Sequence, residues 1–126
     1  MSVLLKDQTG NHLPVDVWNW AVLHHALASS IPPIITDSER LARLRHNSHA
    51  EISPEEVKEL LVLLKSEVLP NLGPGSRMLS DFSVTDQPDD GTFHREDLDK
   101  NYALTYETLI KILVFLENAN GSVTVA

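Results

Sequence analysis

Residues 105–126 read TYETLIKILVFLENANGSVTVA, which is a helix, a stop and a strand in one run. Thr105 carries the side-chain oxygen that a helix start needs. Leu109, Ile112, Leu113 and Leu116 then recur at helical spacing, and Ile110, Val114 and Phe115 widen their stripe almost all the way round. A helix that is apolar on nearly every side is buried, so the spacing predicts a central C-terminal helix over about 105–119. Asn120-Gly121 supplies the stop. The SVTVA that follows alternates and is β-branched, which reads as a strand.

The other end of the sequence offers that strand a partner. SVLLK at 2–6 reads as a short strand, DQTGN at 7–11 as a turn, and His12–Val15 as a returning strand that Pro14 restricts to an edge or an end. Between the two ends lie three further helical segments. The first runs from about Asp16 to Ser29, with Val17, Trp20, Leu23, His24, Leu27 and Ala28 on one broad face; Trp18, Val22 and His25 fall on the other side. Ile31-Pro32-Pro33-Ile34 ends it. Thr36 and Glu39 fit a capping box for a surface helix over about 37–47. Ser53-Pro54-Glu55-Glu56 is a stronger start, and Val57, Leu60, Leu61, Leu64 and Val68 give the helix after it a core-facing stripe up to Pro70. The expected fold is therefore mainly α (α+β). About four helices surround a central C-terminal helix, with a small sheet made from the N-terminal strand or hairpin and the C-terminal strand. The reading is one domain over 1–126, with a long acidic loop at about 70–101.

With 126 residues the chain is long enough to bury one useful core. Its net charge of −8 disfavours binding to a phosphate backbone. There is no run of apolar residues of bilayer-spanning length and no basic-then-apolar N-terminus, so no membrane role is expected. The absence of cysteine removes thiol nucleophiles, thiolate metal sites and disulfides. Together these features predict a cytoplasmic protein.

Charge is concentrated in one place. Asp81, Asp86, Asp89, Asp90, Glu96, Asp97 and Asp99 face Arg95 as the one base in residues 81–99, so this stretch carries −6 of the total −8. Within it, DQPDDGTFHRED at 86–97 partly fits a calcium loop, with Asp86 first, Gly91 sixth and Asp97 last. Pro88 occupies the third position, where a side-chain oxygen is required, and the flanking LSDFSVT lacks a helical period. Calcium is therefore not expected, and the stretch reads as an acidic, turn-rich segment suited to steering a basic protein partner.

The six histidines suggest a second chemistry. His46 and His49 are three apart, and with His25 they supply the side-chain types of a zinc site. Their spacing matches no recognised metal motif. Adjacent His24 and His25 point about 100° apart, and His24 reads as a hydrogen-bonded core residue. Arg40, Arg43 and Arg45 lie together on the second helix, placed to pair with glutamates such as Glu55, Glu56 and Glu59. No nucleophile motif, dinucleotide fingerprint or phosphate loop is present; LGPGS at 72–76 lacks the lysine of the last.

These observations weigh against an enzyme. They favour a non-enzymatic interaction protein that binds a basic protein partner through Asp81, Asp86, Asp89, Asp90, Glu96, Asp97 and Asp99, with Trp18 and Val22 beside them. In bulk character alone, the chain resembles the small acidic immunity proteins that neutralise a basic toxin; it carries no motif of such a family. The alternative is a small metal-binding protein or metal-dependent enzyme that holds zinc with His25, His46 and His49. An exposed apolar face that makes a homodimer is a third expectation.

Overall fold

The computed structural model describes residues 2–30, 33–45, 50–79, 82–86 and 103–126. Among these residues the chain forms four α-helices and two antiparallel sheets. β1 (Ser2–Lys6) and β2 (His12–Asp16) make a hairpin, followed by α1 (Val17–Ser29), α2 (Ser38–Arg45), β3 (Ala50–Ile52) and α3 (Pro54–Leu63). A widened π turn at Leu64–Val68 and a tight 3-10 turn at Leu69–Asn71 extend α3. Then come β4 (Arg77–Leu79), β5 (Val84–Thr85), β6 (Ala103–Thr105), α4 (Tyr106–Asn118) and β7 (Val123–Val125).

The first sheet has the order β2-β1-β7-β3. β7 lies between β1 (Leu5 opposite Val125) and β3 (Ile52 opposite Val123). Alternation sorts its faces: Val3, Leu5, Val15, Ala50, Ile52, Val123 and Val125 are buried, while Lys6, His12, Pro14 and Glu51 are exposed. In the second sheet, β5-β4-β6, the strands β4 and β5 lie in the stretch expected to be a long acidic loop, and β6 follows it. Met78 of β4 and Leu104 of β6, paired in register, bury that sheet's inner face. The fold is thus α+β with two sheets, not mainly α with one small sheet.

Nor is α4 central. Leu109, Ile112, Leu113, Phe115 and Leu116 are buried, but Glu107, Lys111, Val114 and Asn118 form an exposed stripe at i, i+4, i+7 and i+11. Val114 is 54% exposed. One apolar residue on the solvent stripe is what made this helix look apolar all round. It packs by one side against α3, β2 and β6, and the core collects side chains from both sheets and every helix. Burying a leucine or isoleucine of this core, such as Leu27 or Ile112, contributes about 1.5–3 kcal/mol.

A few polar contacts fix how the elements meet. Asp16 caps α1 by accepting from Asn19 N–H at 2.9 Å. The buried Asn19 side chain donates to Asp16 at 2.7 Å and accepts from Thr105 N–H at 2.8 Å, so the starts of α1 and α4 are joined. Trp20 Nε1 donates to Leu44 C=O at 3.0 Å and His24 Nε2 to Leu41 C=O at 2.7 Å, which anchors α2 on α1. Asp7 turns the β1–β2 corner. Its carboxylate accepts from the Thr9 N–H and hydroxyl, from the Asn11 N–H and side-chain amide, and from Asn120 N–H across the molecule. Gly121 takes the left-handed conformation (φ +78°) that turns α4 into β7, with the Gln8 side chain packed over it.

Candidate functional site

α1 ends at Ser29 because no continuation past Ser30 and the two prolines is possible, and α3 ends in a π turn before Pro70. The space between these helix ends is an open cleft of about 480 Å³. Its walls are Ala26, Ser29 and Ser30 from α1, Leu63, Glu67, Val68 and Asn71 from the end of α3, and Met78, Phe82 and Val84 from the β4–β5 hairpin. A shallower groove of about 620 Å³ continues from it along α3, past Ile34, Lys58, Glu59 and Val62. The two share Ser30, Leu63 and Glu67. The cleft has the size and apolar character usual for a binding site, with a few polar groups at its rim.

Three residues of this surface break local rules. Phe82 has φ +67°, the left-handed region that glycine and asparagine occupy most easily. Its N–H donates to Leu79 C=O at 2.9 Å, and Leu79 N–H donates to Ser83 C=O at 2.8 Å, so the hairpin closure holds the backbone there. The residue is nevertheless 38% exposed, and its ring rests on His25, with ring centroids 5.0 Å apart. Val62 lies off the core stripe of α3 and is 65% exposed. Glu67 is an acid in the closing turns of a helical run, where the backbone dipoles favour a cation; it makes no ion pair among the described residues. The nearby Lys65 ammonium pairs with Glu117 of α4 instead. The π turn itself is a backbone irregularity that often marks a functional position.

The remaining charged contacts hold the scaffold. Ser53 and Glu56 form the expected capping box, with Ser53 N–H donating to Glu56 at 2.9 Å and Glu56 N–H to Ser53 Oγ at 3.2 Å. Arg40 grips Glu56 with both guanidinium nitrogens, one of them 2.7 Å from Oε1. Burial pushes the Glu56 carboxyl up, but the hydrogen bonds from Arg40 and Ser53 outweigh it and hold it below the usual carboxylate value. The α2 start is one residue later than expected: Asp37, not Thr36, accepts from Glu39 N–H and Arg40 N–H.

The residues singled out from sequence are distributed unevenly over this surface. Asp86 is exposed immediately after β5, two residues beyond cleft-lining Val84. Asp81, Asp89, Asp90, Glu96, Asp97 and Asp99 lie outside the described residues, as do the rest of the calcium-like stretch, His46 and His49. His25 is exposed, with Nε2 3.3 Å from Ser29 Oγ. Among the described residues no group of three His, Cys, Asp or Glu side chains is placed to hold a metal. Trp18 is 42% exposed, but Val22 is 1% exposed and cannot meet a partner. Met78 is buried and holds β4 on the core, whereas Phe82 and Val84 are exposed. Val62 was not singled out from the sequence; the signal that could have found it is an apolar residue lying off the core stripe of α3. No family model, no curated protein and no solved structure matches the chain.

Proposed function

We propose that the chain is a non-enzymatic, cytoplasmic binding protein whose partner is a basic protein. The observation that supports this most is one of continuity: Phe82 and Val84, two exposed apolar residues that wall the cleft, sit inside the acidic stretch 81–99. Apolar contact surface and concentrated negative charge therefore meet at one place on the chain. Charge of this kind steers encounter with a basic surface, and apolar contact slows release. No helix among the described residues is long and apolar enough to cross a membrane.

The hydroxyl of Ser29, in the cleft wall, lies 3.3 Å from His25 Nε2. The two residues are neighbours on the exposed side of a helix, with no carboxylate orienting the imidazole among the described residues.

The test is affinity capture at low salt with the wild-type chain and with a variant carrying Asp86→Asn, Asp89→Asn, Asp90→Asn and Asp97→Asn. The expected result is a basic protein retained by the wild type, released by salt, and bound at least about tenfold more weakly by the variant. Equal retention by both chains, or an acidic captured protein, overturns the reading. Circular dichroism checks that the variant keeps its fold.

A further inference from the structure

We infer that the cleft and its adjoining groove seat a short segment of that partner in which apolar residues flank a lysine or arginine. Phe82 is the main apolar contact and Glu67 faces the cation. This inference rests on the partner-binding reading above and assigns the surface that would carry it.

Phe82, Val62 and Glu67 are each a poor choice for stability alone. Phe82 holds a conformation better suited to glycine and leaves an aromatic ring part-exposed. Val62 exposes a β-branched apolar side chain on a helix. Glu67 places a carboxylate that makes no ion pair among the described residues in the closing turns of α3 and its extension. Proteins depart from local rules mainly where function requires it, and here all three departures line one continuous surface. Their chemistry also defines the occupant. Apolar walls on both sides of Glu67 call for apolar side chains on both sides of a cation. Among the described residues that line it, Glu59 and Glu67 outnumber the one base, Lys58. From Lys58 to Asn71 the helical rise gives a length of about 20 Å, which accommodates about six extended residues.

The test uses two synthetic peptides of equal length and equal positive charge, one alternating leucine with lysine and the other serine with lysine. Affinity is read by fluorescence anisotropy, and position by the methyl signals of Met78 and Val68. The leucine–lysine peptide is expected to bind saturably and shift both signals, and the serine–lysine peptide to bind at least about tenfold more weakly. Phe82→Gly should reduce leucine–lysine binding by about tenfold or more while leaving the melting temperature unchanged or raised. Glu67→Lys, at an exposed position that cannot disturb the core, should do the same. Equal binding of the two peptides, or Phe82→Gly and Glu67→Lys variants that bind like wild type, overturns the cleft as the seat. In that case the capture experiment still reports separately on the acidic stretch. If the leucine–lysine peptide shows no saturable binding, the inference falls, whatever the capture experiment finds.

Discussion

Asp7 shows how one side chain can hold two distant turns. It is 5% exposed, and its two carboxylate oxygens accept five hydrogen bonds, four from Thr9 and Asn11 of the β1–β2 corner and one from the Asn120 backbone. Burial pushes the carboxyl up, but the bonds from Asn120, Thr9 and Asn11 outweigh it and lower it from 3.8 to about 2. The folded chain therefore binds fewer protons than the unfolded chain between those values. The stabilisation from Asp7 is complete above 3.8 and is lost as pH falls towards about 2. Urea midpoints measured across this window should fall with pH for the wild type, and Asp7→Asn should lower the neutral-pH midpoint and flatten the slope. Phe82 is the opposite kind of residue. Its left-handed backbone costs roughly 1–2 kcal/mol, a sum similar to what its partial burial contributes. Phe82→Gly should then change stability by no more than about 1 kcal/mol, against about 3–5 kcal/mol for deleting a buried phenylalanine.

At the level of elements, local signals were readable and pairings between distant segments were not. Ser53 and Glu56 announce α3 because a capping box is completed within four residues. Ser53→Ala should cost about 1 kcal/mol, visible as a fall of about 3–5 °C in the melting temperature. Thr36 and Asp37 are adjacent residues that can each cap a helix, and only the backbone path selects Asp37. β3, β4 and β6 are three residues long, too short to show a period of two. Their identity comes from partners far away in sequence, such as Ile52 opposite Val123 and Leu79 opposite Ala103. α4 was misplaced because Val114 masked a solvent stripe that its other three members declare. Of the candidate site, the acidic character of residues 81–99 was read from the sequence, whereas Val62, which lies off the core stripe of α3, was overlooked. The cleft was not legible, because it forms only where the ends of α1 and α3 meet a hairpin that the sequence does not signal.

For the whole molecule, the decisive arrangement is a first sheet whose inner strand, β7, is drawn from residues 123–125. Ala126 exchanges backbone hydrogen bonds of 2.8 and 3.0 Å with Leu4, so segments more than a hundred positions apart in the chain are direct neighbours. That placement sets a speed. β1 and β2 can zip together through a five-residue turn, but β1 gains its β7 neighbour only when a loop spanning nearly the whole chain has closed, and β3 only across more than half of it. Refolding should therefore fall among the slower small domains, in the millisecond-to-second range, with the sheet completed late. Rewiring the chain isolates this cost. A permuted version that links residue 126 to residue 2 and opens at the exposed Pro74–Gly75 turn makes the β1–β7 pairing local. Stopped-flow refolding of that chain should be faster than that of the original order. An unchanged rate would mean that the closure of this sheet lies beyond the barrier that limits folding.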